Sequence, residues 1–253
     1  MPDLRHPALD RLDAPGVLDR SGGDAYVRAE LDPQRLVDGW ALGRAAGWVG
    51  RRPGRDVPWL SAVGDPADAA RLAAAVRART AGTAAAPHGA TLPRGAVPLL
   101  AGVEVPVATD WDWFWTDDAP PRRAGEEQVR WLGAGDEDDV AALLAADSPR
   151  HSAVPGGPGV VRWCGVRLDG RLAATAAWVE HVRGVPHLAS IATAATVRGH
   201  GWGAAVTAWV TRALLAEHGW VTLGMYADNG VARAMYRRLG YRDTHLFTSG
   251  RFG

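Results

Sequence analysis

The stretch Arg198-Gly199-His200-Gly201-Trp202-Gly203-Ala204 lies between a run that reads as a strand, Leu188 to Thr196, and one that reads as an amphipathic helix, Trp202 to Glu217. Glycine lets a backbone come close to a ligand because no Cβ stands in the way. The first N–H groups of a helix have no partners inside the helix, and its dipole makes that end partly positive. A strand, a glycine turn and a helix N-terminus in this order therefore form a cradle suited to a diphosphate. The stretch is not a P-loop, since no Gly-Lys-Ser/Thr follows, and it lacks the glycine spacing and acidic residue of the dinucleotide fingerprint. Taken alone, it also reads as a bare Gly-rich turn.

Working outward, the helix carries Ala205, Val206, Trp209, Val210, Ala213 and Leu214 on one stripe and is stopped by Gly219, so it packs on a sheet. Upstream, Val160 to Leu168 and Arg171 to Glu180 read as strands joined by an Asp169-Gly170 hairpin turn, preceded by a strand at Val129 to Leu132 and a helix at Asp136 to Ala146. Downstream come a strand at Trp220 to Ala227, a turn at Asp228-Asn229-Gly230, a helix at Val231 to Leu239 stopped by Gly240, and a strand at Tyr241 to Thr248. The Pro-rich and Gly-rich run Asp117 to Gly125 marks the domain boundary, giving 1–120 and 126–253; a weaker break spans Ala84 to Gly95. In the first part, Leu36 to Val49 and Val57 to Val63 read as strands, and Pro66 to Arg79 as an Ala-rich helix capped by Asp65. Its last element, Val103 to Thr116, puts Trp111, Trp113 and Trp115 on one face and Asp110 and Asp112 on the other. The two carboxylates read either as a solvated strand face or as a holder for a cation. The fold class is a mixed α/β (α+β) architecture in two parts.

The 253 residues carry 28 Lys plus Arg against 28 Asp plus Glu, every cation being Arg, with a sequence pI near 7.1. No basic field exists to hold nucleic acid or an anionic membrane surface. Every apolar run is interrupted by Arg, Asp, Gly or Pro, so no membrane span is expected. The start of the chain lacks a basic leader or a long apolar stretch, and the one cysteine, Cys164, has no intrachain partner. The expectation is a soluble cytoplasmic protein of open oligomeric state. The histidines show no metal-ligand spacing, and Cys164 in its apolar strand reads as a small core residue.

Two landmarks stand in order: Arg198-x-x-Gly201-x-Gly203 or Ala204 after a strand, then Asn229, Ala232 and Tyr236 followed by Leu239-Gly240-Tyr241. Together they resemble the GNAT superfamily of acyl-CoA N-acyltransferases over about Val129 to Phe247. The resemblance implies a GNAT-type domain after the boundary. A degenerate copy of the same fold is one reading of the part before it, since Pro58 to Arg79 runs from strand to helix without the glycine cradle. It also implies that the backbone of Arg198, Gly199, His200, Gly201, Trp202, Gly203 and Ala204 holds the diphosphate of acetyl-CoA. Ile191, Ala192 and Thr193 would pair with the pantetheine amides, which resemble peptide groups. Asn229 and Ala232 would flank the same arm, Asn229 reading equally as a helix cap.

Aminolysis of a thioester needs a neutral amine and a protonated leaving thiol. Tyr236 is the acid that the resemblance places by the sulfur, its alternative being a core tyrosine. His187 stands where several family members carry a base, with Glu180 and His181 as rivals and a surface histidine as the alternative. The expected activity is N-acetyl transfer from acetyl-CoA to a primary amine of a small molecule. The alternative is a CoA-binding regulatory or scaffold protein without turnover.

Overall fold

The computed structural model describes residues 9–52 and 54–253. Residues 1–8, part of the run where no leader is read, lie outside them. The chain divides into two compact units. One runs up to Trp113 and takes in Tyr226–Asp228 and His245–Gly253, and the other comprises Phe114–Met225 and Asn229–Thr244.

The first unit contains β1 (Asp10–Leu12), α1 (Ala14–Arg20), α2 (Ala25–Glu30), β2 (Leu36–Leu42), β3 (Ala45–Arg52), β4 (Arg55–Gly64), α3 (Pro66–Thr80), β5 (Gly89–Pro93) and the first part of β6 (Ala108–Thr116). Strands β1 to β4 pair antiparallel in chain order, and β4 pairs parallel with β5 across the α3 crossover. The run Leu36 to Val49, read above as one strand, is a hairpin. It turns at Gly43 (φ 57°), where the Asp68 carboxylate occupies the place a Cβ would take, and alternation alone gave no sign of that turn. β5 lies inside the stretch read as a break, because its five residues are too short and too small to show a period. The core is built from Trp40, Val49, Leu60, Leu72, Val76 and Leu92.

The second unit contains the rest of β6, then β7 (Arg130–Trp131), α4 (Glu137–Asp147), β8 (Val160–Leu168), β9 (Arg171–Val179), β10 (His187–Thr193), α5 (Trp202–His218), β11 (Val221–Tyr226), α6 (Gly230–Arg238) and the start of β12 (Arg242–Arg251). Strands β7 to β10 pair antiparallel in order, and β10 pairs parallel with β11 across the α5 crossover. Each unit therefore has the same internal plan: an antiparallel run, a helical crossover and a parallel strand. β10 ends at Thr193, earlier than the sequence suggests, because Ala195–Val197 turn into a 3-10 helix. On one face of the sheet, Val206, Val210 and Leu214 of α5 pack against Cys164, Leu188 and Leu223. Each such aliphatic side chain stabilises the unit by about 1.5–3 kcal/mol. On the other face, Val140, Leu143 and Leu144 of α4 pack against Ala189 and Ala192.

Cys164 is fully buried, and burial pushes its thiol up to about 12, which fits a core residue and not a nucleophile. Asp110 is exposed, as on a solvated face, but Asp112 is buried, and the pair is not an open cation holder. Arg94 lies 2.5 Å from the fully buried Asp112 and 3.6 Å from Asp110, which also accepts from Thr248 Oγ1 at 2.6 Å. A cation is already in place there, supplied by a residue 16 to 18 positions away that spacing could not associate with the pair.

Candidate functional site

The cradle begins with two left-handed glycines, Gly199 (φ 83°) and Gly201 (φ 88°), and Gly201 is the N-cap of α5. Nothing lies within 4 Å of a Cβ built on either, so they are required by conformation and not by crowding. No side chain caps α5, and its first bond within the described residues is Ala205 N–H to the Gly201 carbonyl at 2.9 Å. The N–H groups of Trp202, Gly203 and Ala204 therefore face outward at the positive end of a 17-residue helix. Residues Arg198 to Gly201 are exposed. The guanidinium of Arg198 does not reach over the cradle. Its Nε donates to the Thr193 carbonyl at 3.2 Å and its Nη2 to the Asp147 carbonyl at 2.8 Å, so it ties the loop to α4. His200 Nδ1 donates to the carbonyl of Arg198 at 3.0 Å, which leaves Nε2 on the outer side of its ring.

Strand β10 runs into this cradle. It is registered with β11 only at His187↔Thr222 and Leu188↔Leu223, whereas its other edge continues with β9 to Thr193↔Ala174. The β11-facing edge of Ile191, Ala192 and Thr193 is thus without a registered partner, a strand edge of the kind that takes up an extended, amide-bearing chain. The splay follows a bulge between Ala189 and Ala192, where Ser190 adopts φ 48°.

Asn229 Oδ1 accepts from Ala232 N–H at 3.0 Å, so Asn229 is the N-cap of α6, and the half-buried Ala232 packs against the α5-side core. Tyr236 lies one turn further along α6. Its ring is buried, 5.8 Å from Phe114 and 6.0 Å from Tyr241, both edge-on, and burial pushes its phenol above the ordinary value. The two tyrosines differ at the oxygen. Tyr241 shares a hydrogen bond of 2.7 Å with Thr211, whereas the Tyr236 hydroxyl has no hydrogen-bond partner among the described residues. Tyr236 is thus a core ring whose hydroxyl is not used in the hydrogen bonding of the described residues.

His187 opens β10. Thr222 Oγ1 donates its one hydrogen to the Pro186 carbonyl at 3.2 Å, so in the 2.9 Å contact between His187 Nδ1 and Thr222 Oγ1 the ring is the donor. The His181 ring lies 5.0 Å from that of His187, and Glu180 is engaged as acceptor for Gly184 N–H at 2.9 Å.

Two residues of this region escaped the sequence reading. Asp147, at the C-terminal end of α4, accepts from Ala195 N–H at 3.1 Å as well as from Arg198. Ser190 carries the bulge. Its only sequence signal is the run Leu188-Ala189-Ser190-Ile191-Ala192, where a polar residue between two apolar pairs breaks the period of two.

The architecture is the GNAT acetyltransferase fold. The chain is similar to a GCN5-related N-acetyltransferase from Kribbella flavida (23% identity, 95% of each chain covered, TM-score 0.52). It is also similar to one from Sphaerobacter thermophilus (15% identity, 97% of this chain and 95% of that one, TM-score 0.55). A third likeness is to an acetyltransferase of the GNAT family from Colwellia psychrerythraea (12% identity, 97% and 100% covered, TM-score 0.55). These likenesses take in nearly the whole chain, including the part before Asp117 where no motif was legible. Residues 164–248 match the model of the FR47-like protein family, which is GNAT-related and spans both landmarks. No curated protein matches the chain in sequence.

Proposed function

We propose that the second unit is an N-acetyltransferase that moves the acetyl group of acetyl-CoA to a primary amine of a small molecule. The observation that carries this reading is the parting of β10 from β11 after Leu188 and Leu223, at the head of a strand that leads into the Gly201-capped end of α5. A diphosphate on the first-turn amides of α5 and an amide-bearing arm along Ile191 to Thr193 would bring a thioester to the splay. The cradle fits such a ligand, since a Cβ at Gly203 would already press on Thr193 Oγ1 at 2.9 Å. In the reaction the neutral amine adds to the thioester carbonyl, the tetrahedral intermediate collapses with cleavage of the C–S bond, and the thiolate takes a proton from Tyr236. His187 receives the proton lost by the amine. The test is release of free thiol from acetyl-CoA across a panel of amines, with the acetylated amine identified by mass. A protein that only binds CoA releases none.

His187→Gln should lower kcat/KM for the amine by about 10²-fold, a typical share for a general base, with little change in acetyl-CoA affinity. An unchanged kcat/KM for the amine would transfer the role to Glu180, His181 or a water chain.

The first unit we take to be a degenerate copy of the same fold that binds no CoA. Its crossover helix α3 starts in the corresponding place after β4, but Pro66 stands where a glycine turn would be. Asp65 accepts from Ala67 and Asp68 N–H at 3.0 and 3.1 Å, so the helix end is already capped by a carboxylate. With the Ala67 and Asp68 N–H groups already bonded to Asp65, this helix end does not offer them to a diphosphate. Calorimetric titration should give one CoA per chain. Two would contradict the assignment.

A further inference from the structure

We infer that Ser190 is a positioning residue for the acetyl transfer proposed above, acting through a hydroxyl staple between the β10 bulge and the segment Asp147 to Ala153. The inference rests on that reading of the site and adds to it a residue outside the cradle, the arm-pairing strand and the acid–base pair.

The bulge is visible in the packing. Leu188 and Ile191 both face the α5-side core, and Ala189 and Ala192 both face the α4-side core. In an unbroken strand, residues three apart face opposite ways. One extra residue has therefore turned the strand over, and Ile191 to Thr193 present the edge they do because of it. The residue that makes the reversal is Ser190, at φ 48°, a conformation that glycine enters readily and serine does not. Among the described residues only Asp169, in the hairpin turn, shares a positive φ without being glycine.

The hydroxyl is what offsets that strain. Ser190 Oγ accepts from Ala153 N–H at 2.8 Å and from Ser152 N–H at 3.2 Å, and donates to the Ala153 carbonyl at 2.9 Å. A small hydroxyl thus satisfies three backbone groups of a connecting segment that has no ladder of its own. The same segment is fixed at its other end, where Asp147 receives Ala195 N–H and the Arg198 guanidinium. Residues 147–153 consequently form a rail clamped to the cradle at one end and to the bulge at the other, spanning the strand between them. The cradle clamp fixes where a diphosphate sits, and the Ser190 clamp fixes where the strand edge turns, so the rail sets the distance between diphosphate and thioester. Displacement of reacting atoms by about 1 Å costs about a hundredfold in rate.

The test compares the full chain with Ser190→Gly and Ser190→Ala. Glycine accepts the left-handed backbone and keeps the bulge, so it removes the staple alone; alanine removes the staple and keeps the strain. Hydrogen exchange at the Ser152 and Ala153 amides, measured without ligand, should speed by about tenfold or more in both. Single-turnover acetyl transfer by Ser190→Gly should slow by about tenfold to a hundredfold, with the dissociation constant of acetyl-CoA within about twofold of wild type. A residue with only a structural part would lower the thermal midpoint and leave that rate alone. Unchanged exchange, or a wild-type rate in Ser190→Gly, overturns the inference. A wild-type protein that transfers acetyl to no amine overturns the reading beneath it instead, while exchange still reports whether the staple exists.

Discussion

Tyr236→Phe is expected to slow single-turnover acetyl transfer by about 10²–10⁴-fold while leaving acetyl-CoA affinity nearly unchanged. The substitution removes one oxygen and keeps the ring that packs on Phe114 and Tyr241. Because that oxygen has no hydrogen bond among the described residues, no partner is orphaned and the fold should be untouched. Burial holds the phenol protonated throughout the working range, so Tyr236 enters the reaction carrying the proton that the departing thiolate takes. Turnover under steady state would understate the effect if product release is slow, and a pre-steady-state burst reveals that case. Equal single-turnover rates for the two proteins would assign the proton to solvent or to another donor.

The second large effect is expected at the cradle. Gly203→Asp should weaken CoA binding by about a hundredfold, corresponding to about 3 kcal/mol for a carboxylate about 5 Å from a phosphate charge at an effective dielectric near 20. The variant should stay folded for two reasons. Gly203 does not have the positive φ of Gly199 and Gly201, and its nearest obstruction is the end of the Thr193 side chain, which can rotate. An acidic residue in the first turn of α5 also suits the helix dipole. Retained stability with lost affinity separates a ligand effect from a folding defect. Calorimetry showing unchanged affinity would remove the diphosphate from this turn.

What was legible in the sequence followed the strength of the local signals. The α5 stripe with Gly219 at its end, the Asp169-Gly170 hairpin and the order of elements from β8 onward were all readable, because each pairs a periodic apolar pattern with a definite stop. The hairpin at Gly43 was not, since its turn is fixed by Asp68, a residue of the distant α3. Strand β5 was missed for want of length, although its pairing with β4 and β12 makes it interior. Within the site, the glycines, Asn229 and Tyr236 were legible because their spacing carries the GNAT resemblance. Ser190 and Asp147 were not, since their roles arise only when the segment after α4 folds back along β10. The burial of Asp112 against Arg94 shows the same limit from the other side, a strand alternation that predicted exposure and met a partner from another element.

The measurement closest to the central claim uses the full-length chain with acetyl-CoA labelled in the acetyl group, offered a panel of primary amines, with free thiol and labelled amide followed together. The expected result is thiol released in equal amount to label appearing on one class of amine, at a rate that Gly203→Asp and Tyr236→Phe both depress. Tight binding of CoA with neither thiol nor labelled amide from any amine would contradict the claim and leave a CoA-binding protein without turnover.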